Sequence, residues 1–189
     1  LALASLVFLP LLIRPKLLKL FIRSFKYILI LSLTNTAIPF ILFSEASNGS
    51  DSNMLAILNS STALMTMFIA FFWLKEKITI KQIGGLILGF IGIVILVNPK
   101  NSSIDAYSAF ICLAGSFCYA FSGVFIQKYC VSINKLVLIG WSLVFGTILL
   151  IPFSAFSIPN SFPSNEAILS ILWLGIVSTG LSFIGYVRL

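Results

Sequence analysis

Uncharged polar side chains that can hydrogen-bond a small solute lie inside long apolar stretches of the sequence. Asn35 and Asn59 carry the most information, because a carboxamide in hydrocarbon is costly unless its donors and acceptor find partners. At about 100° per helical residue, the polar or small residues of four stretches each fall on one face. The predicted solute-contacting residues are Asn35, Thr36, Pro39, Asn59, Thr62, Tyr119, Thr179, Ser182 and Tyr186.

Each of these patterns also has a purely structural interpretation. Serine, threonine and glycine at helical spacing let membrane helices approach and hydrogen-bond one another. Tyr119 and Tyr186 lie towards the ends of their stretches, where aromatic residues often form a belt at the membrane surface. Pro39 frees a backbone carbonyl and acts either as a hinge or as a fixed kink. Both interpretations remain open from the sequence.

The sequence has few residues that could act in acid–base catalysis or bind a metal ion. There is no histidine, so the usual metal ligand and the usual proton shuttle near neutral pH are both missing. Glu45 is the only carboxylate near a span that could experience a low dielectric, and we interpret it as a solvated loop acid because it lies at the outer end of its helix beside a polar loop. We interpret the cysteines, Cys112, Cys118 and Cys130, as packing residues. We therefore expect no catalytic residue, no metal and no cofactor, which argues against metalloenzymes and histidine-dependent hydrolases.

The stretches that carry the polar residues are hydrophobic enough to span a membrane. Apolar residues make up 59% of the chain and charged residues only 9%, against roughly a quarter in soluble domains. About twenty helical residues cross a bilayer, and helices satisfy every backbone hydrogen bond there. The predicted helical blocks are residues 1–13 (incomplete), 26–43, 54–74, 82–97, 105–126, 135–156 and 166–187.

The charges between the blocks alternate from one connection to the next. Of the 12 basic residues, Lys100 alone lies on the side that also carries Glu45, Asp51 and Asp105. Because basic residues concentrate in cytoplasmic loops, the first block runs from outside to inside and later blocks alternate. The chain is thus predicted to be a multi-pass protein of the cytoplasmic (inner) membrane. Its net positive charge is explained by the basic cytoplasmic loops of this topology. The expected partner is the lipid bilayer, and no nucleic-acid partner is expected.

Two halves of the sequence resemble each other. Leu9-Pro10-Leu11 aligns with Ile151-Pro152-Phe153, and residues 36–41 align with residues 179–184 at nearly the same offset. The matched segments are five helices apart, an odd number, so they must cross the membrane in opposite directions. Such inverted repeats are the usual architecture of secondary transporters, which bind substrate near the midplane between the repeats.

Three short segments carry a further signal: residues 55–62 (LAILNSST), 72–79 (FWLKEKIT) and 175–183 (GIVSTGLSF). They resemble motifs of the EamA-domain proteins of the drug/metabolite transporter superfamily. The first is similar to that family's Asn-x-[Ser/Thr]-Thr-Pro helix, the second to its Leu-Gly-Glu-basic-Leu exit, and the third to its Gly-x-x-[Ser/Cys]-Thr-Ala-x-[Ala/Ser]-[Tyr/Phe] segment. Ala63 replaces the family's usual proline, which puts in doubt the kink that this proline would impose.

The resemblance implies an all-α polytopic membrane protein, a fragment of a ten-helix bundle built from two inverted five-helix repeats. The first repeat would cover residues 1–99, with its first helix missing and its second partial. The second would cover residues 104–189, with its last two helices missing.

The predicted function is secondary transport of small neutral or zwitterionic, amino-acid-like metabolites across the cytoplasmic membrane by alternating access, with export favoured over import. The alternatives are a channel-like or structural membrane subunit and, third, an intramembrane enzyme. A Gly-x-x-x-Gly pattern at Gly85 and Gly89 predicts close helix contact, either within the chain or across a homodimer.

Overall fold

The computed structural model of the chain describes residues 2–97, 105–155, 164–173 and 175. The regular elements in this part are helices. Within these described ranges, four helical runs are long and apolar enough to cross a membrane: Pro15–Ala46, Ser52–Leu74, Ala106–Tyr129 and Lys135–Ser154. The elements are α1 (Ala2–Leu12), α2 (Pro15–Ser32), a π turn (Leu33–Ala37), α3 (Ile38–Ala46), α4 (Ser52–Ser60), α5 (Thr62–Leu74), α6 (Ile80–Val97), α7 (Ala106–Tyr129), α8 (Lys135–Ala155) and α9 (Asn165–Leu172). The all-α polytopic class is confirmed.

The basic stretch after α1 is helical, and its assignment to a connecting loop was wrong. Helix α2 begins at Pro15, where a proline fits because the first helical N–H has no partner to lose. Ile28 and Leu31 are buried. The basic residues follow a 3-4-3 spacing that keeps them on one face of a helix, and all are exposed: Lys16, Lys19, Arg23 and Lys26.

The run Pro15–Ala46 is interrupted by the π turn Leu33–Ala37. Pro39 lies just beyond it and is fully buried. Proline has no N–H to donate to the carbonyl four residues earlier, that of Asn35, and its ring crowds that carbonyl. A π turn widens the backbone at this point and accommodates the ring, so the predicted kink takes the form of a local change in helix type.

The run Ser52–Leu74 is broken at Ser61, between α4 and α5. The Ser61 N–H donates to the Leu58 carbonyl at 3.1 Å, a tighter i to i−3 bond. The Ser61 hydroxyl donates to the same carbonyl at 2.5 Å. Such side-chain back-bonding bends helices, so the break forms here although Ala63 stands where the family has proline.

The described helices fall into two compact units. The first comprises the described residues of Leu1–Ala37 and Ser132–Leu189, with α8 packed along α1 and α2. Phe8, Leu12 and Leu143 form its buried apolar cluster. This cluster joins α1 to α8 through side chains that are almost wholly removed from lipid or water.

Aromatic stacking joins α2 to α8 in the same unit. Phe21 stacks on Trp141 with ring centroids 4.3 Å apart. The indole Nε1 of Trp141 is buried and has no hydrogen-bond partner among the residues that the structure describes. Trp141 therefore acts here as an apolar packing surface.

Glycines on α8 allow its neighbours to approach closely. A Cβ at Gly140 would lie 2.8 Å from a methyl carbon of Leu12, and one at Gly146 would lie 2.7 Å from the Cβ of Thr36. Thr36 belongs to the π turn, so α8 passes the widened part of the helix at Gly146. A larger residue at either glycine would push the helices apart.

The second unit is Ile38–Val131, in which α7 packs against α3, α4 and α5. Ala46, Ile111 and Cys112 form a buried cluster. A Cβ at Gly115 would lie 3.0 Å from the ring of Phe43. The small and polar face of α7 is therefore largely a helix-packing face. Its buried members are Ser108, Cys112, Gly115, Ser116 and Ser122.

Candidate functional site

A cavity of about 350 Å³ opens within the second unit, between α3, α4 and α7. This volume lies within the range of small-molecule sites. None of the described residues that line the cavity is charged. They are Phe40, Phe43, Ser52, Leu55, Ala56, Asn59 and Tyr119.

Helix α4 supplies the longest wall of the cavity. Ser52, Leu55, Ala56 and Asn59 are spaced i, i+3, i+4 and i+7, which places them on one face of a helix. The helix begins after Asp51, whose extended backbone marks the N-cap, and ends at Ser60. The cavity face thus has a serine near one end, an apolar middle and a carboxamide at the end next to the break.

Aromatic rings form the opposite wall. Phe43 stacks on Tyr119, with ring centroids 5.9 Å apart and an interplanar angle of 23°. Gly115, one turn before Tyr119 on α7, lets the Phe43 ring approach the α7 backbone. Phe40 precedes Phe43 by three residues on α3 and adds a partly exposed ring. Stacked rings of this kind offer flat apolar surface to a ligand.

The polar groups of the cavity keep unused hydrogen-bonding capacity. The Thr62 hydroxyl donates to Oδ1 of Asn59 at 3.2 Å, which fixes the amide. Within the described ranges, Nδ2 of Asn59 and the hydroxyl of Tyr119 have no hydrogen-bond partner, and Asn59 is exposed. Two amide N–H donors and one phenol are therefore available to a solute.

Two of the predicted contact residues meet in this cavity. Asn59 and Tyr119 both line the cavity, and Thr62 contacts it through Asn59. Pro39 is buried in α3 and is not among the lining residues.

Asn35 and Thr36 belong to the first unit, where Thr36 is buried beside Gly146. The predicted contacts Thr179, Ser182 and Tyr186 lie outside the described residues.

Five cavity residues were not predicted. Polar side chains within apolar stretches marked the predicted contacts, and the aromatic and small residues of the same faces carry no such mark. The signal was present: Phe40 and Phe43 are three residues apart on α3, and the α4 wall has an unbroken helical spacing that ends at Asn59. The missed residues are Phe40, Phe43, Ser52, Leu55 and Ala56.

The end of α5 is tied to the end of α7 by polar and aromatic contacts. Nε2 of Gln127 donates to Oε1 of Glu76 at 2.7 Å, and Nζ of Lys128 donates to the Trp73 carbonyl at 3.1 Å. The Lys128 ammonium also lies 4.9 Å from the Trp73 ring centroid, a cation–π distance. Glu76, the acid of the family-like exit motif, thus has a clear structural partner in this fold.

The other end of α7 is fixed by a side-chain cap. Oδ1 of Asp105 accepts from the Ser108 N–H at 2.9 Å. Hydrogen bonds from the Ser108 hydroxyl and from this N–H lower the pKa of the Asp105 carboxyl. The Asp105 N–H donates to the Gly49 carbonyl at 3.3 Å. A Cβ at Gly49 would lie 2.7 Å from Oδ1 of Asp105, so the loop between α3 and α4 needs glycine to reach this cap.

The chain matches a known family along most of its length. The sequence model of the EamA-like transporter family matches residues 1–98 and residues 106–189. No solved structure gives a significant match.

Curated relatives come from distant organisms and carry transporter names. An uncharacterized inner membrane transporter, YicL of Salmonella typhimurium, is 28% identical over 156 residues, which cover 80% of this chain and 50% of the relative. An uncharacterized transporter of Archaeoglobus fulgidus is 26% identical over 135 residues, 71% of this chain and 48% of the relative. The uncharacterized transporter YoaV of Bacillus subtilis is 25% identical over 139 residues, with the same two coverages. The chain spans about half the length of these relatives.

Proposed function

Since the chain belongs to the EamA-like transporter family, we propose that it is part of an inner-membrane carrier for small neutral or zwitterionic, amino-acid-like metabolites. The carrier works by alternating access, and export is its main direction. The observation that supports the substrate class is the cavity between α3, α4 and α7, which offers an amide, a phenol and aromatic walls. Every relative described above is named as a transporter, and none as an enzyme or channel.

The uncharged lining favours neutral solutes over ions. A fully ionic solute that left water for this cavity would lose its hydration without meeting an opposite charge among the described lining residues. A neutral or zwitterionic solute can satisfy its polar groups with Asn59 and Tyr119 and lay its apolar part against Phe40 and Phe43. The Asn59 amide also selects among solutes, because its N–H groups favour a solute that carries a hydrogen-bond acceptor.

Backbone irregularities close in sequence to the cavity residues support an alternating-access cycle. The break at Ser61 follows Asn59 by two residues, and the π turn Leu33–Ala37 precedes Phe40 by three. Interrupted helices near a binding site are common in secondary transporters, where they supply polar groups and allow bending. The cycle would change the orientation of α4 against α5 at Ser61, so Asn59 would move relative to the fixed ring of Tyr119.

Transport by the full-length protein in proteoliposomes tests the proposal. Asn59→Leu and Tyr119→Phe each remove a hydrogen-bonding group from the cavity, and each should raise the KM for a neutral amino acid by about fivefold or more. Asn53→Leu and Tyr107→Phe are the matched controls, because both residues are exposed on the same helices and neither lines the cavity. Their kinetics should equal those of the wild type.

Two results would contradict the proposal. Unchanged kinetics in Asn59→Leu and Tyr119→Phe at equal protein levels would remove this cavity from the substrate path. Flux that rises linearly with solute concentration, without saturation or counterflow, would favour the channel-like alternative over a carrier.

A further inference from the structure

A second cavity of about 470 Å³ lies between α5, α6 and the end of α7, and it differs in chemistry from the first. Its inner lining is apolar or small and its mouth carries polar and charged groups. The inner residues are Ala63, Thr66, Met67, Ala70, Ile78, Gly85 and Leu86, and the mouth residues are Glu76, Lys77, Gln82 and Gln127.

The chain segment between α5 and the first turn of α6, part of which forms the mouth, has an excess of positive charge. Lys77 lines the mouth, and Lys75 and Lys81 flank it in the sequence. None of these lysines makes an ion pair or side-chain hydrogen bond within the part of the chain that the structure describes. Glu76 is the one acid among the described lining residues, and its Oε1 already accepts from Gln127. Residues 75–81 thus carry three lysines and one glutamate, of which Lys77 and Glu76 line the cavity, and this local excess of positive charge favours an anionic ligand beside Lys77.

The inner part of the cavity continues along an open helix face. A Cβ at Gly85 or Gly89 would meet no described atom within 4 Å, apart from its own helix. The predicted close contact of these glycines with another helix is therefore absent among the described residues. Because the glycines form a shallow track below the charged mouth, an extended apolar chain could lie on them.

We propose that this cavity binds an anionic phospholipid of the surrounding bilayer. The phosphate would lie at the mouth near Lys77, Gln82 and Lys81, and an acyl chain would run past Met67 and along Gly85. Basic pockets between membrane helices bind anionic head groups, and each nearby lysine adds about 1 kcal/mol, or about fivefold in affinity. The charge at the mouth and the apolar interior together fit a phospholipid better than a free inorganic anion, which would leave the apolar part empty.

The test uses the full-length protein in nanodiscs of phosphatidylcholine that contain a small fraction of photoreactive phosphatidylglycerol, with the reactive group in its acyl chain. Labelled peptides are mapped by mass spectrometry. The proposal expects labelling at residues 63–70 and 85–86, and it expects several-fold weaker labelling there with photoreactive phosphatidylcholine.

Two variants separate the cavity from general attraction of lipid to basic residues. The double substitution Lys77→Gln and Lys81→Gln should weaken labelling of these peptides by about 25-fold at limiting lipid. Removing Lys16 and Lys19, on the exposed face of α2, should not change it. Gly85→Leu fills the track without a clash and should abolish labelling, whereas Gly92→Leu, equally open but outside the cavity, should retain it.

Four outcomes would overturn the proposal. Equal labelling by the two lipids, or equal labelling of Gly85→Leu and wild type, would show that the cavity does not select an anionic phospholipid. Competition by soluble glycerol phosphate would indicate a small-anion site. A Gly85→Cys protein that forms disulfide-linked dimers in place of lipid adducts would assign this face to a second copy. None of these measurements depends on transport, so their failure leaves the proposed function standing.

Discussion

Two helical runs of this chain are interrupted, and they are interrupted by different means. In Pro15–Ala46, a proline removes an N–H and a π turn absorbs its ring. In Ser52–Leu74, serine hydroxyls bond back to the helix and break it without any proline. The interruption before Pro39 is steric and requires free space beside the helix, whereas the interruption at Ser61 depends on hydrogen bonds.

The neighbours of the two interruptions reflect this difference. At the π turn, Thr36 packs against Gly146 of α8, where only a glycine leaves room. At the break, the Leu58 carbonyl also lies 3.4 Å from the hydroxyl of Ser116 on α7, a hydrogen bond between helices. A backbone irregularity inside a membrane helix therefore needs a specific partner on a neighbouring helix, and the kind of partner follows from the kind of irregularity.

The largest expected effect is at the steric interruption. Gly146→Ala places a Cβ 2.7 Å from the Cβ of Thr36, and neither atom can rotate away. We expect this substitution to lower the free energy of unfolding by about 1–3 kcal/mol. Gly123→Ala, at a helical glycine with open space around it, should leave stability unchanged or raise it. Equal stability of the two variants in micelles would rule out the close approach of α8 to the π turn.

The hydrogen-bonded interruption should respond to loss of a hydroxyl. Ser116 is fully buried and donates to the carbonyls of Leu58 and Cys112. Ser116→Ala should therefore cost about 1 kcal/mol of unfolding free energy. Ser142→Ala is the control, because Ser142 is also buried but bonds only within its own helix, to Ile139. If both substitutions cost the same, the contact with Leu58 contributes nothing to the break.

The end of the serine-interrupted run offers a stabilising change. Lys75 follows α5 with φ of 57° and ψ of 32°, the left-handed conformation that favours glycine at a helix C-terminus. Lys75→Gly should raise the free energy of unfolding by about 0.5–1 kcal/mol, since relief of left-handed strain is partly offset by the greater freedom of glycine when unfolded. Lys77→Gly, at an ordinary backbone conformation, should not stabilise the protein. A destabilised Lys75→Gly variant would contradict the assigned backbone conformation.

The smallest expected effect is an acid dependence at the cap of α7. Capping holds the pKa of folded Asp105 below its ordinary value of 3.8, so the stabilisation is present above pH 3.8 and is lost as pH falls through the lower folded pKa. Thermal unfolding measured on the acidic side of pH 3.8 should show this loss. Asp105→Asn retains an acceptor for the Ser108 N–H without a titrating carboxyl, so it should remove this part of the acid dependence.

The sequence predicted the helical architecture well, because long apolar blocks separated by charged connections are typical of membrane helices. Hydrophobic blocks and alternating basic connections place the membrane-crossing helices, and the structure agrees within a few residues for the run Ser52–Leu74 and for α6, α7 and α8. The prediction failed at α2, where basic residues lie within a helix and not in a connection. The basic residues of α2 were assigned to a loop, although their spacing marks the exposed face of an amphipathic helix.

The candidate site was less predictable, for physical reasons. Hydrogen-bonding side chains in a membrane helix can contact another helix or bind a solute. The sequence does not distinguish these two uses, because they differ only in what lies opposite the side chain. Ser108 and Cys112 are buried between helices, whereas Tyr119 on the same face borders a cavity. The break at Ser61 was not predicted either. Alanine occupies position 63, where the family has proline, and the hydroxyls of Ser60 and Ser61 bond back to the helix instead.

The most direct test of the central claim, that the uncharged cavity holds the transported solute, is protection of a cysteine placed in its wall. Ala56→Cys is exposed and lines the cavity, and Ala63→Cys is exposed in the second cavity. In a full-length protein whose native cysteines are replaced by alanine, a neutral amino acid should slow alkylation at position 56 and leave position 63 unaffected. Equal alkylation rates at position 56 with and without every transported solute would contradict the account.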